Sequence, residues 1–525
     1  MVKGFRQIAF LTALSRIFGM IRDVCFAYFL GAGGLMDAWS IAFKIPNLAR
    51  RLFGEGAASA SLIPVYSEEL EKDPEKAARL ANTVVTAVFI LLVLVVLLGW
   101  ISMGLYRYFS VTTAETRLVL SLSSVMLPYM VLVCTVAILA GILNVHRHFA
   151  APAAAPILLN VFIIGSLVLT GWLLNVPPDQ RVFYVAAAVL MAGLAQVALQ
   201  LWPLRQSRIC IRPAWDIYSP GFQKIIWLMG PMILGLTVTQ INTLADDLIA
   251  YWLSGSPEKG QFFTFLGKQI EYPLWRGSVS HLYYAQRLYQ LPLGVFGISL
   301  ATAVFPMMSS AAARKDFSRV SETIGLGLRG AVFVALPATV GLILVSRPLV
   351  SVMFEHGGRF IGSDTIKTSW TLLFYSLGLT GFFSQQIVTR AYYSMQDSAV
   401  PARSAVVAVF VNIALNLVLI WFLGTGGLAL STAVCSYLQV LILLIMLRRR
   451  LGRHILKGLG REVAQCLIGT FVMSGAGLVI LLVLKNSPAL VKLIVTIPSA
   501  VIVYWLCAKA FGSEMLQRVR PTKNN

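Results

Sequence analysis

The sequence predicts an all-α polytopic membrane protein of about fourteen transmembrane helices, on three observations. Hydrophobic residues fill 58% of the 525 positions and charged residues only 12%, with a mean hydropathy of +0.77. A soluble core could not hide that much apolar surface. Apolar windows of roughly 20 residues, long enough to cross a bilayer as a helix, begin near residues 6, 35, 81, 118, 149, 182, 223, 281, 323, 367, 403, 427, 462 and 490. Positive charge alternates between the connections, as it does in membrane proteins whose cytoplasmic loops hold Lys and Arg.

The first window follows Lys3 and Arg6 and is broken by Arg16, Arg22 and Asp23. No small-residue cleavage site follows, so it reads as a retained span and not as a signal peptide. The second, M-D-A-W-S-I-A-F-K-I-P-N-L-A-R-R-L-F-G-E-G, is the least regular, because Pro46, Gly54 and Gly56 disturb the helical phase. Spans three to six follow a basic connection holding Lys72, Lys76 and Arg79, and end at Arg205, Arg208 and Arg212. Between spans seven and eight, residues 254–279 form a long connection of mixed charge, expected to be a surface loop whose aromatics could rest on the outer leaflet. Spans nine to twelve lie between Arg314, Lys315, Arg319 and the cluster Arg448, Arg449, Arg450, Arg453, Lys457, Arg461. The last two precede Arg518, Arg520 and Lys523.

The opposite connections, G-A-G-G-L near 31, N-V-P-P-D-Q near 175 and G-T-G-G near 424, are short and nearly free of positive charge. Both termini are therefore expected on the cytoplasmic side. The net charge of +21 follows this topology and does not mark a nucleic-acid surface.

A repeat organises the spans. D-V-C-F-A-Y-F-L from Asp23 aligns without a gap with D-D-L-I-A-Y-W-L from Asp246. K-I-P-N-L ending in L-I-P-V-Y-S echoes Q-L-P-L-G ending in V-F-P-M-M-S in spans two and eight. Copies six spans apart run in the same direction, which implies two six-helix lobes related by an axis along the membrane normal. The expected organisation is residues 1–215 as the first lobe, 216–450 as the second, and 451–525 as an additional helix pair with a tail.

Arginines inside apolar spans carry the functional reading. An ionised arginine at the bilayer centre costs about 2.5–3.5 kcal/mol or more, so it faces protein or a watery cavity and has a use there. Arg16 and Arg22 lie in span one, and Arg287 lies in span eight within L-Y-Y-A-Q-R-L-Y-Q-L-P-L. On an ideal helix Lys44, Asn47, Arg51 and Glu55 share a face of span two. Periodicity does not settle which of Arg50 and Arg51 points inward. Salt bridges with Asp23, Asp37 and Glu55 would hold a bundle together, but the basic residues outnumber these acids. Surplus positive charge suits an anion, and a guanidinium fork suits phosphate oxygens.

Asp246 with Thr239 and Asn242 on span seven, Asn412 and Asn416 on span eleven, and Thr432 on span twelve make a second polar cluster. Hard oxygen ligands of that kind suit a small cation such as sodium, and they equally suit hydrogen bonding between membrane helices. The six cysteines have no paired spacing that would indicate disulfides or zinc. No P-loop, H-E-x-x-H or G-x-S-x-G motif is present, so the chain does not read as an enzyme. A membrane glycosyltransferase would need an acid or metal pair at the outer surface, for which Asp246 and Asp247 in mid-span are poorly placed.

The blocks S-R-I-F-G-M-I-R-D through D-A-W-S-I-A-F-K-I-P-N-L-A-R-R-L-F-G-E-G-A, Y-Y-A-Q-R-L-Y-Q-L-P-L-G-V-F-G-I-S-L and R-A-Y-Y-S-M-Q-D-S-A-V-P-A-R closely resemble the MurJ (MviN) family of lipid II flippases, and span count and length fit throughout. The resemblance implies the fold of the multidrug/oligosaccharidyl-lipid/polysaccharide exporter superfamily. It also implies a cationic cavity for the head group of undecaprenyl-pyrophosphate-linked peptidoglycan precursor, with the lipid tail near the last two spans. The family's basic positions fall on Arg16, Arg22, Arg50 and Arg287, with Asp23 and Asp37 as accompanying acids. Its sodium site, known in some relatives, falls on Asp246, Asn412, Asn416 and Thr432. Asn416 stands where a carboxylate is expected, which predicts loose sodium binding, and Gln286 and Gln290 replace acids flanking Arg287. The expected partners are lipid II and membrane lipids, with no nucleic acid, for a monomer in the bacterial inner membrane. A drug exporter or an O-antigen-type flippase of the same superfamily is the competing expectation.

Overall fold

In the computed structural model, residues 2–52, 58–207 and 209–519 are described, and helix accounts for almost all of their regular structure. The α-helices are α1 (Val2–Phe29), α2 (Gly34–Ala49), α3 (Ala58–Lys72), α4 (Pro74–Phe109), α5 (Ala114–Met126), α6 (Tyr129–Val145), α7 (Ala150–Val168), α8 (Pro178–Gln206) and α9 (Pro220–Trp252). They continue as α10 (Ser278–Pro292), α11 (Ile298–Ala313), α12 (Phe317–Phe354), α13 (Gly362–Leu377), α14 (Leu379–Ser394), α15 (Ala399–Leu423), α16 (Thr425–Leu451), α17 (Leu459–Val483), α18 (Ala489–Ala510) and α19 (Glu514–Val519). Each predicted span begins inside, or one residue before, a different one of these helices.

Among the described residues, ten helical stretches are long and apolar enough to cross a membrane. Burial separates their roles. The most apolar part of α4 is only 22% buried, whereas that of Ala114–Val145 is 67% buried. An apolar helix that the protein leaves uncovered needs lipid around it, so α4 lies at the periphery and α5–α6 in the interior.

Local chemistry sets the helix ends. Asp73 caps α4 by accepting from the amides of Glu75 and Lys76, and Pro74 occupies the first turn, where its missing N–H costs nothing. Asp316 caps α12 at Arg319 in the same way. The tight turn between α15 and α16 uses Gly424 at φ 57°. Gly427 then approaches so closely that a Cβ there would stand 2.3 Å from the Leu419 carbonyl oxygen, which only glycine permits. Among the described residues π-helical turns occur at 50–52, at Leu169–Leu173 where the span of α7 ends, and at Leu293–Gly297 between α10 and α11.

The chain divides into two compact units. The first comprises Met1–Leu244 with Ser256–Ile270. Within it α1 packs on α7, α2 on α5, α3 on α4 and α6, and α6 on α8. The second comprises Ala245–Gly255 with Glu271–Asn525, and α12 runs through it against α13, α14, α17 and α18. Its core joins Val304, Met308, Ile324, Val388, Tyr392 and Leu443. Tyr504 of α18 secures the last helix pair by donating to the Phe333 carbonyl of α12 at 2.8 Å.

The long connection of residues 254–279 is more ordered than the surface loop expected from its composition. β1 (Ser254–Gly255) pairs in parallel with β4 (Leu274–Trp275). β2 (Phe262–Phe265) and β3 (Lys268–Glu271) form a hairpin turned by Leu266 and Gly267, both at positive φ, with Phe262 and Phe265 exposed.

Candidate substrate and ion sites

In the first unit Arg22 of α1 is held by Asp23 and Asn160. Arg22 donates to Asp23 Oδ1 through Nε at 3.0 Å and Nη2 at 2.8 Å, and to Asn160 Oδ1 through Nη1 at 3.0 Å. Asp23 is only 3% exposed. Asn160 in turn donates to the Ser15 carbonyl, tying α7 to α1. Asn160 was not singled out by sequence reasoning, although a lone amide within P-A-A-A-P-I-L-L-N-V-F-I-I-G was a visible signal. Arg16 lies about 9 Å along the same helix at 1.5 Å per residue and is exposed.

Helix α2 does not break at Pro46. It runs through that proline and leaves α geometry at residues 50–52, where the turn is π-helical. A wider turn sends successive side chains in directions an ideal helix would not. Arg50 donates from Nε to Asn47 Oδ1 at 3.0 Å and lies close enough to Tyr129 and Cys134 of α6 to act on both electrostatically. Arg22 acts on the same Tyr129 hydroxyl. Arg51 instead donates to Gln240 Oε1 at 3.1 Å, and Lys44 to the Thr243 carbonyl, both on α9. The cations of α2 therefore diverge: Arg50 joins Arg22 around Tyr129, while Lys44 and Arg51 face α9.

Asp37 is buried in the first turn of α2, where it acts on Lys259. That is about 20 Å along the helix from Arg50. Glu55 lies outside the described residues. Among the described residues, the guanidiniums of Arg22 and Arg50 thus lie around Tyr129 with the Asp23 carboxylate beside Arg22. Preorganised N–H donors with surplus positive charge in a low-dielectric setting bind phosphate-type anions strongly.

At the membrane-flanking end of α3, Glu68 accepts from Lys72 at 2.6 Å and from Lys224 of α9 at 2.8 Å. These two ammonium groups, Lys224 foremost, hold its carboxyl down at about 2.

In the second unit Arg287 of α10 stacks over the Tyr283 ring, 4.6 Å from its centroid. Gln286 beside it donates to the Tyr375 hydroxyl at 3.0 Å. Asp246, Asn412, Asn416 and Thr432 are brought together; Asp246 is 1% exposed and both asparagines 0%, and Thr432 is half-buried. Asn416 Nδ2 donates to Asp246 Oδ1 at 2.6 Å and to Asn412 Oδ1 at 3.0 Å. The Thr432 hydroxyl donates to Asp246 Oδ2 at 3.1 Å. The Thr239 side chain lies outside the described residues.

The carboxylate, amide and hydroxyl oxygens of this cluster fit the donor chemistry of a small hard cation. Asn416 presents nitrogen to Asp246, however, so it would have to turn its amide over to join a ligand set. Elsewhere in this unit an open cavity of about 690 Å³ is lined by Trp275, His281, Lys367, Trp370 and Thr425, with His281 Nε2 3.2 Å from Asp364 Oδ1.

The family model of the lipid II flippase MurJ matches residues 26–499. The chain belongs to the MurJ family. Among relatives, a probable lipid II flippase MurJ of Vibrio cholerae is 32% identical over 89% of this chain and 87% of its own length. One of Bdellovibrio bacteriovorus is 31% identical over 97% and 94%. A solved lipid II flippase MurJ in an inward closed conformation superposes with a TM-score of 0.78 at 26% identity, covering 96% of this chain and 98% of that one. An inward-facing multidrug resistance transporter of the MATE family superposes at 0.66 with 14% identity, over 83% and 94%, a likeness of fold alone. Within the MurJ family match lie Arg50, Arg287 and all four members of the Asp246 cluster.

Proposed function

We propose that this chain is a lipid II flippase that carries the undecaprenyl-linked peptidoglycan precursor from the cytoplasmic to the periplasmic leaflet of the bacterial inner membrane. Family membership supports the substrate. The observation that carries the reading is the pair Arg22 and Arg50 around Tyr129, two guanidiniums set into apolar helices with one carboxylate beside them.

Arg22 is oriented by Asp23 and Asn160, so its planar fork meets a diphosphate without first losing side-chain freedom. Arg50 adds a second fork, and Arg287, stacked on Tyr283, offers a third in the second unit. No bond is made or broken. Transport follows from presenting the same cations first to one side of the membrane and then to the other. With both termini cytoplasmic, a membrane potential negative inside draws the unloaded cationic state inward, at about 2.3 kcal/mol per charge per 100 mV. Sodium at Asp246, Asn412, Asn416 and Thr432 would be held by one formal negative charge, which makes it a weak modulator. A drug exporter favours cationic cargo and would gain nothing from surplus arginine.

The test is complementation. Arg22→Ala, Arg50→Ala and Arg287→Ala should each abolish growth of a flippase-depleted strain while the protein still inserts at normal levels. Each removes charge-assisted bonds worth about 1.5–3 kcal/mol apiece that water at the site does not replace. Full growth of the triple variant would refute the assignment.

A further inference from the structure

Arg390 is an in-membrane arginine that the function above leaves unused. It lies in α14, one turn before the helix ends at Ser394, and is half-buried. Its hydrogen bond is to a neutral group, from Nη1 to the Thr302 hydroxyl of α11 at 2.6 Å. The nearest acid beyond that helix end, Asp397, is already paired with Arg450.

The direction of the side chain is informative. An arginine one turn from a basic membrane surface ordinarily snorkels outward to it. Here α11 and α14 run side by side in the same sense, with Gly297 facing Phe383. That puts Thr302 level with residue 388, about 3 Å further into the span than Arg390. The guanidinium is therefore held against α11 and not extended to the surface. Gln386, Arg390 and Tyr393 follow at i, i+4 and i+7 and share one stripe of α14. Gln386 is half-buried and Tyr393 is 49% exposed.

We propose that Arg390, with Thr302, Gln386 and Tyr393, is a station for a phosphate or diphosphate ester at the basic end of the second unit. The proposal rests on the flippase reading and gives the head group a place to be held before it reaches the depth of Arg287. Thr302 lies fifteen residues beyond Arg287, about 20 Å along the α10–α11 span. Thr302 aims the guanidinium, and Gln386 and Tyr393 donate to oxygens the fork does not reach.

The test uses the full chain with Thr389→Cys, beside the stripe and half-buried, as a local reporter and Cys210→Ser to remove the exposed native thiol. Farnesyl diphosphate should protect the thiol introduced at 389 from a small aqueous thiol reagent, and dioleoyl phosphatidylglycerol at equal concentration should not. Adding Arg390→Gln should raise the concentration needed for half-protection about tenfold or more. Arg390→Lys, which keeps the charge and tests whether the fold survives, should raise it less. Unchanged protection in Arg390→Gln would overturn the station. Equal protection by phosphatidylglycerol would also overturn it, making Arg390 a contact for bulk lipid. Failure of the parent chain to complement flippase depletion, with Arg390-dependent protection intact, would sink the flippase reading and leave the station standing.

Discussion

Replacing Asn416 by aspartate puts a second carboxylate where an amide nitrogen now lies 2.6 Å from Asp246 Oδ1. The exchange removes a charge-assisted hydrogen bond worth about 2 kcal/mol. It also sets two like charges together, at about 6 kcal/mol for that separation and an effective dielectric constant of 20. A buried pair avoids the full repulsion by taking up a proton, so the net loss should be nearer 3–5 kcal/mol. At roughly 2 °C per kcal/mol for a chain of this size, the melting temperature in choline chloride at pH 7.5 should fall by about 6–10 °C.

Sodium reverses the sign of the interaction, because a cation between the carboxylates replaces the missing ammonium-like donor. At a hundred times its dissociation constant it would restore about 2.7 kcal/mol, or about 5 °C. The parent chain, whose own amide already satisfies Asp246, should shift by less than about 2 °C. The assay is thermal unfolding of the purified protein as sodium replaces choline at constant ionic strength. A fall in melting temperature that sodium does not recover would make the cluster a helix-packing network. No fall at all would mean that Asn416 and Asp246 are not in contact.

Two further outcomes follow from the placements above. With Arg50→Cys, a small aqueous thiol reagent should label the protein and lipid II should protect it, whereas Arg51→Cys, against Gln240, should show no substrate protection; protection at 51 alone would reverse the assignment. Glu68→Gln tests the link from α3 to α9: the Glu68 carboxyl is held at about 2, below its ordinary 4.5, so its contribution is complete above pH 4.5 and fades as pH falls towards 2. The variant should melt slightly lower than the parent at pH 7, and the two should converge in that acidic window.

The span positions were legible because the signal is gross. Twenty apolar residues bounded by lysine and arginine are hard to misplace, and α4 and α12 could be read from composition alone. The in-span charges were equally visible, since each is expensive in lipid. The partners were not. Arg22 meets Asn160 only because α7 packs on α1, a contact 138 residues apart in sequence. The split between Arg50 and Arg51 was beyond periodicity, because the helix passes through Pro46 unbroken and then widens by a π turn that no residue type announces. The four residues of the Asp246 cluster were correctly grouped, yet the direction of each hydrogen bond, and so the role of the Asn416 amide as donor, depends on how three helices rotate about their axes.

The π turn at Leu293–Gly297 makes residue count a design variable of its own. Each residue added to or removed from a helix rotates everything beyond it by about 100°. Arg287 lies above this turn and Thr302 below it, so the number of residues between them decides their relative bearing around the span axis. Substitutions at Leu293 or Val295 change what the shaft packs against. A single-residue deletion inside the π turn closes it to α geometry and largely keeps the bearing, whereas a deletion in the α-helical residues between it and either Arg287 or Thr302 swings Arg287 by more than a quarter turn. The α-helical residues flanking the turn are therefore constrained in length more severely than in composition, and the π turn is where a one-residue deletion is best absorbed.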